Sequence, residues 1–342
     1  MRKVSFLMLP LVASLSIMGC DNAPKKTSTD TAEKTATITA PNLTIGYSDY
    51  PGWVAWQIAI EKGWFKEAGL NVDFKWFDYS ASLNAFAANQ IDAVTIAHGD
   101  NLISASSGGT QGILVLATDQ GAANDVIVAK AGINSIADLK GKTVATEKGL
   151  VDHLLLDAAL TETNLKADDI KILNGLTNEL PQVFTSSDVD AVALWQPSAN
   201  QALKNVSGSK IIYTAADKPG VIYGAMAVNA ENLMKNKAEW QKVLKIWDKV
   251  VNYIEDPATN ADAIRIMSQR AGISAEEYKP FVDGTKFLDI QDNKTVFTKG
   301  TGFDSIYGSS YNVNEFNVKY GLYPEKIDVD ALIGADVVQG IQ

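Results

Sequence analysis

Residues 43–77 read LTIGYSDYPGWVAWQIAIEKGWFKEAGLNVDFKWF. Leu43, Ile45 and Tyr47 alternate with a strand's period of two, and Val72 to Phe77 is a second β-rich run. Between them Pro51 can open a helix, and Trp53, Trp56, Ile60 and Trp64 recur at three- and four-residue steps on one buried stripe. Gly69 stands where a C-cap belongs. Strand, helix and strand in this order predict a βα unit of a mostly parallel sheet.

The alternation continues outward. Further strands are expected at Ala93–Ile96, Ile113–Ala117, Val126–Ala129, Thr143–Thr146, Ile170–Leu173, Ala191–Leu194, Ile211–Thr214 and Gly224–Val228. Ser80 and Ser135 read as N-caps of the next helix and of Ile136–Leu139. After about residue 230 helices take over, the longest expected from Ala238 to Glu255, where Trp240, Leu244, Trp247 and Val251 share a face that core packing explains. The fold class is α/β, and no fixed-period repeat points to a solenoid or propeller.

Composition narrows the function. The chain has 342 residues, 46% of them hydrophobic and 20% charged, enough for two domains and a sizeable core. A formal charge of −10 repels phosphate backbones, so nucleic acid is not expected as a partner. One cysteine and two histidines, His98 and His153, leave little for a metal centre. Each histidine is expected in an ordinary hydrogen-bonded role, and neither metal nor cofactor is expected. No G-x-S-x-G, P-loop or G-x-G-x-x-G motif stands in the chain, so no enzyme activity is expected.

Residues 1–19 combine a basic start at Arg2 and Lys3 with an apolar run from Val4 to Met18, the pattern of a secretory signal peptide. The run is shorter than the ~20 residues a spanning helix needs. Ile17-Met18-Gly19-Cys20 resembles a bacterial lipobox, in which Cys20 would be lipidated. An ordinary signal peptide with an incidental cysteine is the alternative. Residues 20–42, rich in Thr, Ala, Lys and Pro, then form a tether with a reach of roughly 25 Å. The expected location is the periplasmic face of the inner membrane, or the outer face of the cell membrane in a single-membrane bacterium.

Ile45-Gly46-Tyr47-Ser48-Asp49, Ala59-Ile60-Glu61-Lys62-Gly63-Trp64-Phe65, Asn89-Gln90-Ile91-Asp92-Ala93 and Asp138-Leu139-Lys140-Gly141-Lys142-Thr143-Val144 are similar to segments of the ABC-transporter solute-binding proteins of the nitrate, sulfonate, taurine and thiamine-pyrimidine group. Trp53-Val54-Ala55-Trp56, Trp76-Phe77-Asp78-Tyr79, Val151-Asp152-His153 and Leu194-Trp195-Gln196-Pro197 most resemble the branch associated with urea-carboxylase-type and guanidine-degradation gene clusters. The resemblance implies a periplasmic-binding-protein-like fold of type II. Lobe 1 would be 43–126 plus 227–342 and lobe 2 would be 127–226, joined by extended crossovers at Val126–Lys130 and Tyr223–Asn229. It further implies a monomer that closes on a small-molecule ligand and delivers it to an ABC permease and ATPase, without catalysis.

In open α/β sheets, ligands bind beyond the carboxyl ends of the strands. The residues there are Ser48-Asp49, Asp78-Tyr79, His98-Gly99-Asp100, Asp119, Glu147, Asn178-Glu179, Trp195-Gln196 and Asp217, mostly carboxylates and aromatics. No arginine occurs between Lys3 and Ile264, although guanidinium forks are what an oxyanion site would use. A small cation with several N–H donors fits better. Asp49, Asp100, Glu147 and Glu179 are the candidate carboxylates, Trp53 and Trp195 the candidate stacking rings, and Tyr79 and Tyr223 the candidate hydroxyls. Asp49 and Asp100 could instead be N-caps, Trp53 could be core, and Asp152 could merely complement a helix dipole. Guanidinium, urea or a small amide is favoured as ligand. Taurine, an alkanesulfonate, nitrate bound by helix N-termini, and a thiamine pyrimidine precursor stay open, as do a sensor without a transporter and a pyrimidine-synthase-like enzyme.

Overall fold

In the computed structural model, which describes residues 41–341, strands β1 (Asn42–Tyr47) and β2 (Asn71–Trp76) pair in parallel, Leu43 opposite Val72 and Tyr47 opposite Trp76. The stretch between them is three short helices, Pro51–Val54, Trp56–Glu61 and Trp64–Glu67, rather than one. Gly63, at φ 72°, supplies the left-handed residue ahead of the third. The breaks divide the expected tryptophan stripe. Trp56 and Trp64 enter the core of the first sheet, whereas Trp53 joins a second cluster with Tyr50, Tyr79 and Trp195.

The remaining strands are β3 (Ala93–Ala97), β4 (Gly112–Gln120), β5 (Asp125–Ala129), β6 (Thr143–Thr146), β7 (Lys171–Asn174), β8 (Ala191–Trp195), β9 (Lys210–Thr214), β10 (Tyr223–Asn229) and β11 (Lys286–Phe287). All but the two-residue β11 lie on the β-rich runs. They form two sheets, of order β11-β4-β10-β3-β1-β2 and β7-β6-β8-β5-β9. Both sheets are mixed, not mostly parallel: β10 is antiparallel to β3 and β4, and β5 is antiparallel to β8 and β9. Parallel neighbours need a helical crossover, and β5 and β10 arrive directly from the other sheet without one. The segments 126–130 and 223–229 are therefore almost wholly strand, and the chain passes between the sheets at residues 121–124 and 215–222.

Ser135 caps Ile136–Leu139 in a capping box with Asp138, as its spacing predicts. Asp78, not Ser80, holds the N-cap position of Tyr79–Ala87, which frees the Ser80 hydroxyl for another partner. Helix Lys237–Glu255 lays Trp240, Leu244, Trp247 and Val251 on the first sheet's core, with Trp247 4.8 Å from the Trp56 ring. Among the described residues no helix is long and apolar enough to cross a membrane. The signal peptide, Cys20 and the tether to residue 40 lie outside the described residues, and Asn42 already belongs to β1.

Candidate functional site

Strand ends of both sheets converge on one cleft of about 590 Å³. Ser48 and Asp49 reach it from the end of β1, Phe77 to Ala81 from the end of β2, Glu147 after β6, Thr177 and Asn178 after β7, and Trp195 at the end of β8. This is where an α/β sheet is expected to hold a ligand. Hydrogen bonds cross the cleft. Glu147 accepts from Thr177 N and Oγ1 on its own side, at 3.1 and 2.9 Å, and from Ser80 Oγ on the other. Asn178 Nδ2 donates to Asp78 Oδ1 across the same gap at 3.2 Å.

Beneath Trp195 lies a smaller chamber, bounded by Tyr50, Trp53, Asp125, Val151 and Trp195 among others, that leaves about 10 Å³ for the centre of a water-sized sphere. Its rings form a box. Trp53 stacks on Tyr79 at 5.2 Å and 28°, Tyr50 lies 5.0 Å from Trp53, and Trp195 stands edge-on to Tyr50 at 5.9 Å and to Tyr79 at 6.2 Å. All four are buried. No Lys, Arg or His lines either the chamber or the cleft.

Buried carboxylates crowd around this box. Tyr50 Oη lies 2.9 Å from Asp119 Oδ2 and 3.2 Å from Asp125 Oδ2, and Thr118 Oγ1 donates to Asp119 Oδ1 at 2.8 Å. Tyr79 Oη donates to Asp100 Oδ2 at 2.6 Å while accepting from Ala97 N at 3.0 Å. Asp152, in the first turn of helix Val151–Glu162, is 1% exposed and has no partner for either oxygen. Burial pushes Asp100 and Asp125 up to about 7 and Asp119 to about 6. Asp152 rises well above the carboxylate range, through burial first and then repulsion from Asp125, Glu147 and Asp100. Tyr50 and Tyr79 are raised far above 10 by burial beside these acids, so both phenols keep their protons as donors. Among the described residues no group of three or more His, Cys, Asp and Glu is arranged to hold a metal ion. The arrangement offers hydrogen-bond acceptors, negative charge and π faces to a group small enough to enter, and it offers no cationic donor.

The residues expected from the sequence divide into two sets. Tyr79, Glu147 and Trp195 line the cleft, Trp53 and Trp195 line the chamber, and Asp100 is held against Tyr79. Asp49 lines the outer cleft, half-buried, and accepts from Trp76 Nε1 at 2.7 Å. Its carboxyl is raised, mainly by burial, and the Trp76 bond and Arg270 oppose the rise. Glu179 does not join the site: it is exposed ahead of the short helix Leu180–Val183. Tyr223 does not present its hydroxyl to the cleft but donates it to Phe303 O at 2.7 Å. Arg270 comes nearer than the sequence suggests, stacking 5.5 Å from the Trp76 ring centroid at the rim, where its Nε donates to Tyr47 Oη at 2.8 Å. His98 bonds Tyr223 N through Nδ1 at 3.2 Å and Ser309 Oγ through Nε2 at 2.9 Å, and burial lowers it to about 4. His153 accepts from Gly149 N at 3.1 Å.

Four members of the site are not among the residues the sequence singles out, and one of them, Asp152, reads in the sequence only as a helix-dipole residue. Tyr50 precedes Pro51 directly, beside a residue already singled out. Asp125 stands at the start of its strand, and only antiparallel pairing brings that end to the cleft. Asp119 was visible at a strand end, but nothing local marks it as buried. Two glycines fit it: a Cβ on Gly52 or Gly224 would stand 2.1 Å from Asp119 Oδ1.

Over 166 residues the chain is 29% identical to a binding protein of Brucella abortus (strain 2308), covering 48% of this chain and 51% of that one. The chain spans about half the length of the curated relatives it matches. It superposes on the periplasmic aliphatic sulphonate binding protein of Escherichia coli with a TM-score of 0.71 at 20% identity, covering 88% of this chain and 100% of that one. It superposes on the periplasmic nitrate-binding protein of Synechocystis PCC 6803 with a TM-score of 0.68 at 14% identity, covering 88% of each. The fold is thus the two-sheet α/β fold of periplasmic solute-binding proteins. Residues 53–261, well over half of the chain, match the NMT1/THI5-like family, and the chain belongs to that family.

Proposed function

We propose that this protein is the extracytoplasmic solute-binding component of an ABC importer and that it captures a small planar cation, guanidinium foremost, in the chamber beneath Trp195. The observation that carries the ligand is the acidic surround: Asp125 lines the chamber, Asp119 shares the Tyr50 hydroxyl with it, Asp100 holds Tyr79, buried Asp152 lies within repulsive range of Asp125 and Asp100, and no basic side chain lines the chamber. An ionised carboxylate buried without a cationic partner is costly, so a site of this kind is complementary to a positive ligand. The chamber admits only a small group. Edge-on carboxylates would take its N–H donors and a ring face would stack on its plane.

Two lobes, 43–126 with 227–342 and 127–226, would close over the ligand through the Ser80–Glu147, Asn178–Asp78 and Tyr50–Asp125 contacts. Cys20 would carry the lipid that keeps this monomer near its permease and ATPase.

A sulfonate or nitrate ligand is the second reading, favoured by the names of the binding proteins it resembles. Against it stand the carboxylates and the lack of any basic side chain in the lining. Thermal unfolding at pH 8 and matched ionic strength, with guanidinium, urea, ethanesulfonate or nitrate at millimolar levels, separates the two. Ligand at 100 times its Kd adds ~2.7 kcal/mol, a shift of several degrees. A rise with guanidinium alone is expected. A rise with ethanesulfonate or nitrate alone overturns the cationic reading.

A further inference from the structure

We propose that the chamber is a cation–proton exchange site, in which protons hold the carboxylates when it is empty and the entering cation displaces them. This rests on the cationic reading above. The geometry of donors carries it. Tyr50 stands within hydrogen-bond distance of both Asp119 and Asp125, yet a phenol has one proton to give. Thr118 serves only the far oxygen of Asp119. Asp152 has no donor at either oxygen. In the empty chamber these three acids therefore lack enough donors to remain ionised together.

The groups facing them are acids or neutral donors on every element. Strand β4 carries Asp119, β5 carries Asp125 and helix Val151–Glu162 carries Asp152. Glu147 lies in the turn before that helix, Asp100 on helix His98–Ser106, Tyr79 on helix Tyr79–Ala87, and Tyr50 after β1. His98 shares Asp100's helix but is engaged by Tyr223 N and Ser309, and Lys148, next to Glu147 in the chain, is exposed. The values near 6 and 7 for Asp119, Asp100 and Asp125 set the exchange in the neutral range. A bound guanidinium brings its own charge and donors, so binding releases protons and acidification releases the cation.

Calorimetric titration of guanidinium chloride into the full chain, at constant ionic strength and in two buffers of different ionisation enthalpy, reads affinity and proton release together. About half a proton should leave near pH 7 for each competing carboxyl of pKa about 7, and each such group should lower affinity about a hundredfold from pH 8 to pH 5. Equal affinity at both pH values with no buffer dependence overturns the exchange and leaves the cationic reading standing. No binding at any pH overturns both. Asp152→Asn and Asp125→Asn should each release fewer protons, and undiminished release in both variants overturns the proposal.

Discussion

Two aspartates stand in the first turns of helices and meet opposite surroundings. Asp262, in helix Asn260–Ala271, accepts from Lys62 Nζ at 2.7 Å, Arg265 Nε at 2.8 Å and Tyr253 Oη at 2.8 Å, and these bonds hold its carboxyl far below the usual range. Asp152, in helix Val151–Glu162, is buried with no donor, and desolvation pushes its carboxyl far above that range. Both enjoy the same favourable helix dipole, so the dipole is not what separates them. The surface cluster is complete by itself, and water screens it so strongly that it contributes little. In the chamber cluster Asp152 has no donor, and in a low dielectric that matters far more.

The contrast can be broken at either end. The largest expected effect is on ligand affinity in Asp152→Asn, which should lose about 2–5 kcal/mol of guanidinium binding in calorimetry at pH 8. The same substitution should change the thermal stability of the empty protein little near pH 7, because the Asp152 carboxyl is then protonated and neutral. Unchanged affinity would remove Asp152 from the site. Next comes Gly224→Ala, whose Cβ collides with Asp119 Oδ1. It should cost about 1–3 kcal/mol in urea unfolding, and a neutral result would mean that Asp119 can shift without cost. Trp195→Ala should lose at least about 1 kcal/mol of binding if its ring stacks on the cation, and full affinity would return Trp195 to a packing role.

Stability against pH sharpens the comparison further. Asp100, Asp119 and Asp125 sit near 6 to 7 in the folded chain against an ordinary 3.8. The folded state holds the extra protons, so the stability they contribute is lost as pH rises through 6 to 7. His98 and His153, lowered from 6.5 to about 4, act oppositely, but their contribution is complete above 6.5. Between pH 6.5 and 8, then, the carboxylates dominate this balance. Melting of the empty chain should give the lower Tm at pH 8, by a few degrees, and saturating guanidinium should remove the difference. A higher Tm at pH 8 without ligand would sink the idea that the acids are uncompensated. The smallest effect is Asp262→Asn, which should move Tm by no more than about 2 °C and leave binding unchanged. A large loss there would erase the distinction between the two clusters.

The elements were largely legible because strands and helices announce themselves by local period. The Ala191–Leu194 run became β8, and the Trp240 stripe became the buried face of Lys237–Glu255. Trp195 was legible as a site residue because it closes a strand ahead of a proline. Glu179 looked equivalent by the same rule, yet it is exposed, since a position after a strand does not fix which way the following turn leads. Trp53 could not be separated from Trp56 until the helix broke at Ala55 and sent the two rings to different clusters.

By itself the sequence determined the α/β class, the strand positions, and a candidate cleft inventory heavy in acids and aromatics, with no arginine from Lys3 to Ile264. These follow from composition and short-range spacing. Only the tertiary structure decided that both sheets are mixed, that Asp119 and Asp125 share one phenol, and that Asp152 is buried without a partner. A carboxylate's meaning depends on the dielectric and donors around it, and those come from residues far away in the chain.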